Sequence, residues 1–302
     1  MSSSFEPSPE LTDCLNQLRS MLEQFIGLDD ALIAVLVEHE SAKHLRSERT
    51  PIPSSVVQVI PLMLQAIGSS SHTLLQLSKK PGLQTRDCYS ICRSIVELAV
   101  NICFIISEGT DAADRALRHA RQKAFRDLER ESKIGNNVIK IVHTGRPNPS
   151  TVPGLQEEIE EFTSNSGREK NWIDENIGER IAAVGKHQGE TIQNRLHTAH
   201  TMVYRHSSEV LHGSLFSALH FFGATEPSGQ PRTLEKLAER IGQQHMMILF
   251  AANIAMCEVV ESFHKEYGFS AAQAKADAIM ERLQGIAYLN RNENGVSPKS
   301  KA

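Results

Sequence analysis

Apolar residues recur at three- and four-residue spacing along nearly the whole chain, a period that predicts helices. The pattern places them near 10–27, 29–47, 54–78, 85–107, 110–134, 153–164, 171–201 (broken), 202–222, 232–266 and 270–286. Several starts carry a capping signal: Pro53-Ser54-Ser55, Thr110-Asp111, and Pro231 with Thr233. Alternating β-branched runs closed by Asn-Gly or Asp-Gly turns are almost absent. The expected fold is therefore all-α, a multi-helix bundle. An N-terminal helical extension is expected over residues 1–50, the bundle domain over 51–286, and a disordered polar tail over 287–302. The stretch "IVHTGRPNPSTVPG" at 141–154 punctuates the bundle without dividing it into domains.

Two of these helices carry candidate chemistry. At 100° per residue, Ile91, Ile95, Leu98, Ala99, Ile102, Cys103 and Ile106 share one stripe. Arg93 and Glu97 fall opposite, but so do Val100 and Phe104, and a helix apolar on both faces is expected to be buried. Arg93 and Glu97 are spaced to pair. They form either a partly exposed salt bridge or a desolvated pair that needs polar partners from another helix. The 202–222 helix is the expected source. Its apolar face holds Val203, Leu211, Leu215, Ala218, Leu219 and Phe222 around Tyr204, with Ser207, Ser208 and Ser214 inside it. Arg205 and His212 flank that face. Glu209, His206 and His220 point outward, and the two histidines are expected to be solvated.

Composition narrows the classes. A 302-residue chain with 40% hydrophobic and 23% charged residues can bury a sizeable core. A net charge of −4 gives no global basic field for nucleic acid or membrane. Five cysteines without metal-site spacing argue against a disulfide framework; Cys88, Cys92 and Cys103 read as small core residues. "MSSSFEPSPE" lacks the order of a secretory signal, and "SIVELAVNICFII" is too short to span a bilayer. The cytoplasm is the expected location, with no membrane partner and no cofactor. Signatures of P-loop NTPases, serine hydrolases and zinc proteases are absent.

The motif "R-S-I-V-E" at 93–97, followed by "Y-R-H-S-S-E-V-L-H-G" at 204–213, resembles an uncharacterised bacterial helical family, domain of unknown function 5677. The likeness covers about residues 50–225. It implies that Arg93, Glu97, Tyr204, Ser207 and His212 meet across a helix–helix interface, and it implies no activity. Arg205 and His212 also match the R-x4–6-H spacing, which resembles HEPN-type ribonucleases of toxin and anti-phage defence systems, helical and often dimeric. Arg180/His187, Arg195/His200 and Arg240/His245 match it too. That resemblance implies metal-independent RNA cleavage, with His212 exchanging a proton and an arginine steadying the phosphorane. RNA is then a partner, and a homodimer is possible. Two alternatives remain open. One is a non-enzymatic scaffold binding a small anionic ligand or a protein partner. The other is a ferritin-like di-metal site built from "E209-V-L-H212" and "E261-S-F-H264" with Glu97 and Glu38 or Glu40.

Overall fold

The computed structural model describes residues 7–41, 52–143, 145–222, 231 and 233–293. Two helices packed along each other form its centre: α3 (Thr85–Glu108) and α9 (Leu234–Tyr267). Residues 251–260 of α9 are all buried, and α3 buries both of its faces, as its sequence pattern requires. Both helices are long and apolar enough to cross a membrane. Most of each apolar window is covered by protein here, and the core helix of a bundle passes the same test.

Around this pair, α1 (Pro9–Ser41) and α2 (Ser54–Ser78) pack on one side, and α6 (Ile177–Gln188) and α7 (Glu190–Leu211) on the other. α10 (Ser270–Glu293) lies against α9, and α4 (Thr110–Asp127) against α2. Leu15, Leu18, Met21, Leu22 and Phe25 of α1 enter the common core, so the segment expected as an extension is one of its walls. Expected breaks shift accordingly. The pattern divides residues 10–47 into two helices, but α1 runs through Gly27 unbroken to Ser41. Gly189, at a φ of 107°, separates α6 from α7. Most of the expected tail lies outside the described residues.

One expected helix is corrected. The 110–134 helix stops at Asp127, and an antiparallel hairpin follows, β1 (Glu129–Ile134) and β2 (Asn137–Val142). The charge-rich run "ERESK" offers no strand pattern, but Ile134-Gly135-Asn136-Asn137 is a two-residue hairpin turn, and "VIKIV" is β-branched. Gly135 takes a φ of 60°, which such a turn needs. After the hairpin come a short helix, α5 (Leu155–Glu161), and the loop into α6.

A second correction concerns the expected 202–222 helix. α7 continues from 190 only to Leu211, and α8 (Leu215–Phe221) starts afresh. His212 and Gly213 close α7: Gly213 N donates to Val210 O at 3.1 Å and Ser214 N to Glu209 O at 3.2 Å, with Gly213 at a φ of 62°. Ser214 Oγ then accepts from Ser217 N, capping α8. The face extrapolated past Gly213 is therefore broken. Leu211 and Leu215, expected in the core, are 62% and 74% exposed.

Candidate functional site

Arg93, Glu97 and Asn101 recur every fourth residue, so one polar stripe runs along α3. α7 crosses it antiparallel. Arg86 Nη2 donates to Val210 O at 3.5 Å, Arg93 meets Tyr204, and Glu97 acts electrostatically on His200. Arg93 Nε donates to Glu97 Oε1 at 2.6 Å, and the guanidinium carbon lies 4.5 Å from the centre of the Tyr204 ring. The Arg93 and Glu97 side chains remain 22% and 38% exposed. The pair is thus the partly exposed bridge of the two readings, worth roughly 0.3–0.5 kcal/mol at this spacing.

Three residues outside the sequence motif complete the cluster. His200, one turn before Tyr204, lies against it with ring centres 4.5 Å apart. Arg180, from α6, donates to Asn101 Oδ1 on α3. His200 Nε2 and Arg180 Nε are both enclosed and have no hydrogen-bond partner among the described residues. Burial lowers the pKa of His200, with Glu97 opposing the effect. Burial likewise lowers that of Arg180, against Glu97 and then Glu175. Two guanidiniums, an imidazole and one carboxylate from three helices therefore converge, and two of their polar nitrogens have no partner among the described residues.

The remaining motif residues go elsewhere. Ser207 is buried, but its hydroxyl donates to Tyr204 O of its own helix at 2.9 Å. Arg205 is exposed, its guanidinium 5.5 Å from the Phe216 ring centre. His212 is exposed at the end of α7, eight residues beyond Tyr204, which is about 12 Å along the helix. No hydrogen bond or ion pair joins it to Arg93, Glu97 or Tyr204 among the described residues. Arg93, Glu97 and Tyr204 come together; His212 and Arg205 stand apart from them.

The outward histidines also need correction. Because the chain turns at Gly213, α8 lays His220 on His206 with ring centres 4.0 Å apart and planes within 4°. Phe216 and Tyr89 continue the column on either side. Both histidines are half-buried, and the pKa of His220 falls to about 4 through burial, then through His206, Arg240 and Arg205. They line the end of a cleft of about 680 Å³ shared with α1 and α9.

The di-metal arrangement does not form. Arg195 Nη1 holds Glu261 at 2.9 Å, and Glu209 lies fourteen residues further along α7, about 21 Å away along the helix. Among the described residues, no three His, Cys, Asp or Glu side chains gather as a metal site. The side chain of Glu40 lies outside the described residues.

Sequence reasoning reached Arg93, Glu97 and Tyr204 but passed over Asn101, Arg180 and His200. Asn101 continues the i,i+4 series of Arg93 and Glu97, and His200 precedes Tyr204 by one turn, so both had a positional signal. Arg180 had none, because its approach depends on how α6 packs.

Comparison with known proteins places the site within a recognised sequence family. The model of a family of unknown function (DUF5677) matches residues 59–231, which span α3, α6, α7 and α8. No curated protein and no solved structure matches the chain.

Proposed function

The chain belongs to the family of unknown function DUF5677, and from that premise we propose that it is a helical binding protein whose α3–α6–α7 cluster receives a small anionic group. One observation carries the reading: His200 Nε2, close enough to Arg93 and Arg180 to feel their charges, and Arg180 Nε are enclosed and lack partners among the described residues. A buried polar nitrogen without a partner costs about 1–3 kcal/mol, and an oxyanion bridging the two would recover that cost. Charge-assisted bonds from Arg93 and Arg180 would add to it. Phosphate and carboxylate share this chemistry. Calorimetric titration with inorganic phosphate, sulfate and acetate tests the reading. Arg180→Ala and His200→Ala are each expected to weaken binding at least tenfold, whereas Arg205→Ala leaves it unchanged. No heat from any anion, or equal binding by all variants, would refute it.

The exposure of His212 and Arg205 supports a second reading. A polymer can reach both at the end of α7, and an imidazole is the side chain most often used for general acid–base work. On that reading the chain cleaves RNA without metal. His212→Ala abolishes cleavage of mixed cellular RNA, and EDTA leaves the wild-type rate unchanged. Equal, negligible cleavage by wild type and variant would leave only the binding role.

A further inference from the structure

The β1–β2 hairpin is the least covered element described in the fold. Ile134, Val138, Ile139, Ile141 and Val142 are each more than half exposed, and all of β2 is open to solvent. A two-stranded hairpin by itself is marginal in water, and its unpaired edges are templates for another strand. Apolar side chains on both faces and two edges without a paired strand among the described residues pose the same question: what covers them?

The register answers it. Ser132 pairs with Ile139, Glu131 with Lys140, and Lys133 with Val138. His143 N donates to Leu128 O at 2.9 Å, which fixes the alternation of bonded and non-bonded pairs along the ladder. Bonded pairs fall at Arg130, Ser132 and Ile134. The backbone N–H and C=O groups of Glu129, Glu131 and Lys133 therefore point away from β2, along the outer edge of β1.

We propose that this edge pairs with the same edge of a second copy of the chain, antiparallel about a two-fold axis at Ser132. In that register Glu131 lies opposite Lys133 of the second copy, and Lys133 opposite its Glu131. Both residues present outward backbone groups, so the two positions form bonded pairs, as an antiparallel ladder requires. Neighbouring registers are worse. Centring on Glu131 or on Lys133 sets that residue against itself, and centring on Arg130 does the same to Arg130 while opposing Glu129 to Glu131. Like charges directly opposite destabilise a sheet; opposite charges stabilise it. The outer edge of β2 offers Val138, Lys140 and Val142, and in no register does it form a pair of opposite charge.

The symmetry suits the apolar residues too. A two-fold axis through a sheet keeps equivalent faces on the same side. Ile134, Ile139 and Ile141 share one face of the hairpin, so the four-stranded sheet β2-β1-β1-β2 carries six isoleucines on that side. Four strands with an apolar face are beyond the marginal range of an isolated hairpin. Charges on an edge strand normally discourage pairing, but here their alternation favours one partner and one register.

Sedimentation equilibrium of the full chain at low ionic strength tests this pairing. Wild type is expected to be a dimer, and Glu131→Lys or Lys133→Glu alone is expected to weaken association at least tenfold. The double exchange Glu131→Lys with Lys133→Glu is expected to restore it, since every opposed pair is again of opposite sign. Glu131→Pro is an uncharged block: its lost N–H points outward, so no bond within the hairpin goes with it. Circular dichroism verifies folding, which these exposed positions should not disturb. A monomeric wild type at its highest soluble concentration overturns the proposal. So does a double exchange that fails to restore association, or a proline variant that dimerises like wild type.

Discussion

Glu258 shows how one side chain can set the pH response of this core. It is fully buried on α9; its Oε1 lies 3.4 Å from Arg195 Nη1, while its Oε2 has no partner among the described residues. Burial, and then Glu261, push its pKa up to about 8, against the opposing charge of Arg195. The native state therefore keeps a proton that the unfolded chain releases near its ordinary value of 4.5. That contribution to stability is complete below 4.5 and is lost as pH rises towards 8. His200, His206, His220 and His245 act at the other end: burial lowers them all, so their stabilisation is present above 6.5 and lost at lower pH. The window from pH 6.5 to 8 therefore contains the Glu258 loss together with that of Asp29, whose pKa is also raised, by burial and then by Asp30, and comparison with Glu258→Gln separates the two. Urea unfolding across it should show stability falling, with up to about 1.4 kcal/mol per pH unit due to Glu258. Glu258→Gln should remove that part of the slope and exceed wild type in stability at pH 8. An unchanged slope would show that Glu258 is already ionised in the fold.

Helix ends decide what the sequence could and could not reveal. The polar stripe of α3 was legible because the helix is regular, so stepping 100° per residue places Arg93 and Glu97 on one face; that Tyr204 meets them followed only from the family resemblance. The same stepping failed beyond Gly213, where a φ of 62° ends α7 and turns α8 back. That single glycine turned Leu215 into solvent and stacked His220 on His206. It was readable as a helix stop, but the apolar period continued past it and outweighed it. The hairpin was obscured in the opposite way, by charges that favour a helix before a turn that favours strands. Arg180 was out of reach, since it joins the cluster only through tertiary packing. Gly213→Ala tests the role of the stop. Forcing a Cβ into this conformation should cost about 1 kcal/mol or more and loosen α8. The His220 imidazole, followed by NMR, should then titrate nearer its ordinary range than about 4. A His220 titration unaltered by the substitution would mean that the stack does not depend on this cap.

At the scale of the whole molecule, the family match and the core have different limits. The match ends at residue 231, before α9 begins at Leu234. α9 nevertheless forms the central partner of α3, and Leu15, Leu18 and Phe25 of α1 close another side of the same core. A fragment of residues 59–231 would expose the stripe of Ile95, Ile102 and Ile106 to water. At about 25 cal/mol per Å² of apolar surface, that exposure outweighs the marginal stability of a domain this size. The fragment should melt without a cooperative transition and bind a hydrophobic dye, whereas the full chain should do neither. A sharp transition from the fragment would show that the family region folds by itself.

The anion site is the central claim, and the His200 imidazole reports on it most directly. Burial holds its pKa low, and an anion bonded to Nε2 would favour the charged ring. We therefore look to the NMR titration of His200 in the full chain, with and without inorganic phosphate. The account predicts that phosphate raises the His200 pKa by about one unit or more, in line with a bonded opposite charge, and that Arg180→Ala removes the rise. A His200 titration identical in the presence and absence of phosphate would contradict it.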